Sequence, residues 1–185
     1  MKTKKKTHWL KLGLTRAAKI HFLIVIAYIG QIIAYDASRL ITPEQLMKRW
    51  FAAGGLLAVS AIIWYLARSK VNKTNTLKLM SWILIASDIA FAAFNVYQQR
   101  GMSSRAVLLF LIPILVSGIL LSRVALFSTA ILCIAAYTSA CVAYFVNYFN
   151  EGYKVELYGE ILFYSFVFLV SAMLLWAVFR TKHPS

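Results

Sequence analysis

The sequence predicts an all-α membrane protein, a polytopic bundle of about six transmembrane helices with the N-terminus and the C-terminus both on the cytoplasmic side. Of its 185 residues, 61% are hydrophobic and 14% are charged, whereas about 25% of the residues in a soluble domain are charged. The apolar residues form six long runs separated by short polar connectors. A transmembrane β-barrel would instead show alternating segments of about 10 residues, and the sequence has no such pattern.

The domain organisation follows from these runs, because a helix needs about 20 apolar residues to cross a bilayer. A basic cytoplasmic or interfacial segment is expected at 1–19, a six-helix transmembrane domain at 20–179 and a short cytoplasmic tail at 180–185. The predicted spans are 20–35, 50–67, 79–98, 106–121, 124–147 and 160–179.

Several local signals refine these elements. The basic segment is interpreted as retained, because no small-residue cleavage site follows the first apolar run, and Trp9 can lie at the lipid surface beside it. In the connector 36–49, Pro43 and Glu44 are typical of the start of a short surface helix. In the fourth span, Pro113 removes one backbone hydrogen bond and acts either as a hinge or as a packing device.

The orientation follows from the distribution of Lys and Arg. With the N-terminus inside, the inner segments hold 14 of the 20 basic residues, and such an excess marks the cytoplasmic side. The net charge of +14 does not indicate nucleic-acid binding, because the basic residues lie in connectors between spans, where they act as orientation signals. The chain is therefore placed as a multi-pass protein of the cytoplasmic (inner) membrane, with a prokaryotic character.

No enzyme, cofactor or metal is expected. Cys133 and Cys141 lie eight residues apart in one apolar run and are interpreted as small packing residues. His21 has no second buried His to complete a haem site, because His8 and His183 lie in polar tails. The sequence contains no metal-ligand spacing, no Gly-rich phosphate loop and no nucleophile motif.

The most informative residue is Asp88, near the centre of the third predicted span. A carboxylate at that depth costs about 2.5–3.5 kcal/mol on insertion scales. It therefore indicates either a ligand, proton or cation contact, or a structural hydrogen bond to a neighbouring helix, with the carboxyl group protonated in that case.

Further polar side chains fall in the outer half of the predicted bundle. Asn95 follows Asp88 by seven residues and so lies on the same helical face. These groups predict a small pocket that opens outward, with interfacial aromatic residues and interhelical hydrogen bonds as the alternative interpretation. The candidate ligand-binding residues are Asp88, Asn95, Gln31, Tyr144, Asn147, Glu160 and Tyr164.

The stretch from Asp88 to Arg123 combines an acid in the third span, a Gly-containing connector, an apolar fourth span with a central Pro, and a very short basic turn. The residues that carry this outline are Asp88, Gly101, Ser104, Leu111, Pro113 and Arg123. It resembles the third and fourth spans of the six-span membrane input module of bacterial sensor histidine kinases of the pilus-regulating and redox-sensing type, here without the kinase domain. The redox-sensing members carry Gly-Gly-x-x-Asn-Pro in this connector, whereas this chain has Arg100, Gly101 and Met102 followed by two serines.

The resemblance implies a sensory or signal-input module that binds a small ligand, or senses the state of the membrane, and passes helix movement to a cytoplasmic partner. The alternative is a substrate-binding subunit of a small-molecule importer, since such subunits are also six-span, basic and of this length. The candidate partners are the lipid bilayer, a cytoplasmic kinase or other signalling protein, and a second copy of the chain, with nucleic acid excluded.

Overall fold

The computed structural model describes residues 2–69, 73–148 and 154–182, with side chains over 7–69, 73–148 and 154–178. It consists of helices and the turns between them, which confirms the predicted all-α membrane fold. The helices are α1 (Lys2–Ala37), α2 (Pro43–Arg68), α3 (Thr74–Gln98), α4 (Leu111–Leu120), α5 (Arg123–Tyr148) and α6 (Lys154–Lys182).

Five of these helices are long and apolar enough to cross a bilayer. The predicted fourth span, 106–121, contains only a short α-helix of 10 residues, α4. Two 3₁₀ segments, Gly101–Ser103 and Arg105–Phe110, precede it. The second 3₁₀ segment and α4 comprise 6 and 10 residues and together rise about 27 Å, since the 3₁₀ geometry is the more extended one. That length approaches the hydrocarbon thickness of about 30 Å, so the shorter segment can still serve as a span.

The chain divides into two compact units, Met1–Leu84 and Ile85–Ser185, so that α3 begins in unit 1 and ends in unit 2. Unit 1 is built on an antiparallel pair of helices, α1 and α2. The buried residues along each helix repeat at intervals of three or four, which is the spacing of helix-packing seams. On α2 these residues are Arg49, Ala53, Leu56, Ser60, Ile63 and Ala67.

The connection between α1 and α2 is short and well defined. α1 ends in a Schellman arrangement in which the Leu40 amide donates to the Tyr35 carbonyl at 2.9 Å, and Arg39 adopts a left-handed conformation with φ of 52°. Thr42 and Gln45 then form a capping box around the first turn of α2, with Pro43 at its first position. The expectation of a separate short surface helix at Pro43 is therefore wrong, because the helix that begins at Pro43 continues directly into the apolar run of α2.

Unit 2 packs the last part of α3, the 3₁₀ segments, α4, α5 and α6 around one apolar cluster. The change from 3₁₀ to α geometry occurs two residues before Pro113, which is buried. Proline has no amide hydrogen and cannot complete the α-helical hydrogen bond at that point, which accounts for an irregular start to this span. Cys133 and Cys141 are buried and free within the same cluster, as expected of packing residues.

Candidate functional site

The predicted pocket residues fall into both units. Gln31 belongs to unit 1, where its side-chain amide donates to the Tyr35 hydroxyl at 3.1 Å. The other six belong to unit 2, where they occupy three places: the face of α3, the outer end of α5 and the seam between α5 and α6. Within unit 2, the predicted pocket residues are therefore divided among three places.

The α3 face carries two buried polar side chains. Asp88 is 5% exposed and Asn95 is 1% exposed. The Asn95 amide nitrogen donates to the Phe91 carbonyl at 2.9 Å within the helix, and its Oδ1 atom has no hydrogen-bond partner among the described residues. Asp88 lies within electrostatic range of Cys133 on α5, whose thiol is directed at the Phe110 carbonyl at 3.7 Å. Both predicted residues are thus inside the bundle, as expected for polar groups in a span.

The outer end of α5 forms a tyrosine cluster, defined as Tyr97, Tyr144, Asn147 and Tyr148. The Asn147 side chain donates to the Tyr97 hydroxyl at 3.1 Å, and the ring centroids lie 4.7 to 6.5 Å apart. Rings at this separation are in direct contact with each other. The cluster therefore links α3 to α5, and the ligand-binding role predicted for Tyr144 and Asn147 stays a prediction.

Gly101, in the connector after α3, packs directly against Tyr144 of this cluster. Its φ is +60°, and a Cβ atom added there would lie 2.9 Å from the Tyr144 Cβ atom. Only glycine combines that backbone conformation with so close an approach. Because Gly101 has no side chain, the connector after α3 can pack closely against α5.

The centre of unit 2 is Tyr137, which the sequence analysis did not select. It is 0% exposed, and its ring makes edge contacts with Phe110, Tyr164 and Phe168 at centroid distances of 5.5 to 6.0 Å. Its hydroxyl has no hydrogen-bond partner among the described residues. The Cys141 thiol is beside it without meeting hydrogen-bond geometry, and sulfur is a weak partner in any case.

A signal for Tyr137 was present in the sequence. Tyrosine normally lies at the membrane interface, where its hydroxyl reaches water. Tyr137 instead lies at the middle of the fifth apolar run, four residues from both Cys133 and Cys141 and so on one helical face with them. A mid-span tyrosine on a face of small polarisable residues is a signal of a buried polar group.

Two of the predicted residues belong to the surroundings of Tyr137. Glu160 is exposed on α6 and interacts electrostatically with Tyr137 and Cys141. Tyr164, one turn further along α6, is half-buried against the Tyr137 ring. We call Tyr137, Cys141, Glu160 and Tyr164 the seam site, because they line the contact between α5 and α6.

The seam site offers a neutral hydroxyl, a thiol and a carboxylate within an aromatic surrounding. Such groups can donate to and accept hydrogen bonds from one small polar group. In the described parts of the chain, no group of three or more His, Cys, Asp or Glu residues is arranged to hold a metal ion. The side chains of the seam site can make hydrogen bonds and ring contacts.

Comparisons of the chain with protein-family models, with curated proteins and with solved structures found no match. The resemblance of Asp88–Arg123 to a sensor-kinase input module remains a hypothesis. The function has to be inferred from the chain's own residues, and the seam site provides the most specific of these.

Proposed function

We propose that this multi-pass protein is a signal-input module of the cytoplasmic membrane, which binds a small molecule at the seam site and passes helix movement to a cytoplasmic partner such as a kinase. The observation that carries the proposal is the Tyr137 hydroxyl, which is fully buried and has no hydrogen-bond partner among the described residues.

An unpartnered hydroxyl at this depth is unfavourable. Leaving a buried donor or acceptor unsatisfied costs about 1–3 kcal/mol, and phenylalanine would fill the same space without that cost. The retention of the oxygen is explained if a bound molecule completes its hydrogen bonding. The class of ligand is then a small molecule with one polar group for Tyr137 and an apolar or planar body for Phe110, Tyr164 and Phe168.

Binding at this place requires movement of α5 relative to α6. The rings around Tyr137 are in contact, so a ligand enters only when the two helices separate. A ligand that binds the open arrangement better than the closed one shifts the equilibrium toward it. Ligand binding and helix displacement are thereby the same event.

The other end of the helix pair supplies a place where such movement is read. The Arg123 guanidinium at the start of α5 lies 4.1 Å from the centre of the Trp176 ring on α6. This cation–π contact is at the end predicted to be cytoplasmic, where a partner would reach it. A change in the separation of α5 and α6 at the seam site would alter this contact.

The test is to identify small molecules that copurify with the protein. The protein is purified in detergent from its native membrane, extracted with organic solvent and analysed by mass spectrometry, together with Tyr137→Phe and a control, Tyr158→Phe, whose hydroxyl is on an exposed residue of α6. We expect one compound to be retained by the wild type and by Tyr158→Phe, and depleted about tenfold in Tyr137→Phe, as the loss of one buried hydrogen bond implies.

Equal retention by Tyr137→Phe, or no compound enriched over detergent alone, would reject the seam site as a ligand site. Copurification with a pair of ATPase subunits, in place of a kinase or response regulator, would reject the signalling role and establish the importer alternative.

A further inference from the structure

The charged residues of α5 and α6 are distributed unevenly around the seam site. After Arg123, its first residue, α5 carries no charged residue. On α6 no charged residue lies between Glu160 and Arg180. Glu160 precedes Tyr164 by one turn, and Tyr164 contacts the Tyr137 ring. The charge that the two helices place beside the seam site is therefore negative.

The Glu160 carboxylate has no cationic partner in the described parts of the chain. It forms no ion pair and no hydrogen bond with any residue there. Lys154, the basic residue at the start of α6, lies six residues earlier, which is about 9 Å along the axis and on another face of the helix. Glu160 is also exposed, so a cation from outside the protein can reach it.

The rings around Tyr137 meet at steep angles. The ring planes of Phe110, Tyr164 and Phe168 are inclined to that of Tyr137 by 80°, 70° and 87°. We call these four rings the aromatic box, because rings inclined in this way form walls around a centre, unlike stacked rings. The face of an aromatic ring is negatively polarised and attracts a cation that lies within about 6 Å of its centre. Several such rings together are a general means of binding an organic ammonium group.

The carboxylate and the aromatic box share one face of α6. Glu160, Tyr164 and Phe168 follow one another at intervals of four residues, which places them on the same side of the helix. Glu160 is also close enough to Tyr137 to interact with it electrostatically. An ammonium group has up to three N–H donors, so it can donate both to the carboxylate and to the Tyr137 hydroxyl oxygen. One cationic group therefore suits the carboxylate, the ring faces and the unpartnered hydroxyl together.

We propose that the ligand of the seam site is a small organic amine in its ammonium form. Glu160 binds it through an ion pair, the aromatic box through cation–π contacts, and the Tyr137 hydroxyl through an N–H···O hydrogen bond. This inference rests on the proposed function, because it concerns the same site. It adds the charge of the ligand, which the Tyr137 hydroxyl alone does not define.

The experiment uses the full chain in an uncharged detergent, washed extensively to remove small molecules. Binding is measured by calorimetric titration at neutral pH with three probes that share a phenyl ring and differ in charge: phenethylamine, which is protonated at this pH, phenethyl alcohol, which is neutral, and phenylacetate, which is an anion. The variants are Glu160→Gln, which removes the charge and keeps the shape, and Tyr137→Phe. The matched control is Glu156→Gln, because Glu156 is also exposed on α6 and lies one turn further from the aromatic box.

We expect phenethylamine to bind the wild type and Glu156→Gln equally, and at least about tenfold more tightly than either of the other probes. Glu160→Gln should bind phenethylamine about tenfold more weakly but phenethyl alcohol as the wild type does, because only the cation loses an ion pair. Tyr137→Phe should weaken the binding of both, since each forms a hydrogen bond with the hydroxyl that this variant removes.

Three outcomes would overturn the cationic ligand: phenethylamine that binds no more tightly than phenethyl alcohol or phenylacetate, Glu160→Gln that binds phenethylamine as the wild type does, or an equal loss of phenethylamine binding in Glu156→Gln and Glu160→Gln. If Tyr137→Phe still lost the copurifying compound in any of these cases, the seam site would stand as a ligand site and only its preference for a cation would be rejected. Retention of that compound by Tyr137→Phe, with no binding of phenethylamine to the wild type, would reject both.

Discussion

Removal of the Tyr137 hydroxyl should stabilise the ligand-free protein. Tyr137→Phe keeps the ring and its contacts with Phe110, Tyr164 and Phe168, and deletes a buried oxygen that has no hydrogen-bond partner among the described residues. The gain is the desolvation penalty of that group, about 1–3 kcal/mol. For a chain of this size each kcal/mol corresponds to about 2–4 °C in melting temperature, so a rise of several degrees is expected.

The assay is thermal unfolding in detergent after extensive washing to remove small molecules. The matched control is Tyr97→Phe, because the Tyr97 hydroxyl accepts a hydrogen bond from Asn147 at 3.1 Å. That variant should lose about 0.5–1.5 kcal/mol and melt at a lower temperature. The same chemical change is therefore expected to act in opposite directions at two tyrosines of one unit.

A fall in melting temperature for Tyr137→Phe, comparable with that of Tyr97→Phe, would refute the reasoning. It would mean that the Tyr137 hydroxyl has a structural partner in the folded protein. The ligand interpretation of the seam site would then lose the observation on which it depends.

The remaining predictions concern backbone conformation and Asp88. Gly101→Ala should destabilise the protein by about 2–4 kcal/mol, because Gly101 has a positive φ and an added Cβ would overlap Tyr144. The control, Gly30→Ala, should stabilise the protein by up to about 1 kcal/mol, because a Cβ there meets nothing within 4 Å. Equal melting temperatures of the two variants would disprove this reasoning. Arg39→Gly should stabilise the protein by about 1 kcal/mol and so raise the melting temperature, because Arg39 has a φ of 52°, which glycine adopts without strain; a lower melting temperature would indicate that the Arg39 side chain stabilises the turn. Asp88→Asn should fold and retain the copurifying compound, because Asp88 is not part of the seam site; loss of the compound would show that Asp88 also contributes to binding, and unchanged folding, binding and signalling would remove Asp88 from the candidate residues.

The positions of the helices could be predicted because lipid imposes a simple pattern on sequence. Each apolar run had to satisfy its backbone internally, so the all-α architecture followed without tertiary information. The ends of the helices were harder to predict from the sequence. The first span was expected at 20–35, whereas α1 extends over Lys2–Ala37, because the basic segment before it contains no signal that ends a helix.

The fourth span shows a second limit. Pro113 was identified as a disturbance, but its effect, a stretch of 3₁₀ helix before the proline, depends on how that span packs against α5 and α6. Sequence alone can indicate that a hydrogen bond is missing. It cannot indicate how the neighbouring turns adapt to that loss.

The candidate site was only partly predictable for a related reason. The type of a residue shows that it is polar, whereas whether its polar atoms have partners is a property of the packed structure. Tyr144 and Asn147 were predicted as ligand residues from their type, whereas their contacts with Tyr97 become visible only in the folded chain. Tyr137 was not among the predicted residues, yet its hydroxyl has no hydrogen-bond partner among the described residues.

Arg49 and Tyr137 raise the same physical question in different forms. Both are buried and lack hydrogen-bond partners among the described residues, but a guanidinium remains charged whereas a phenol is neutral. A neutral hydroxyl can persist unsatisfied at a modest cost, so Tyr137 is compatible with a ligand that comes and goes. A buried charge is far more unfavourable without acceptors, so the Tyr35 ring, 5.3 Å from the Arg49 guanidinium, matters more to Arg49 than any single ring contact matters to Tyr137.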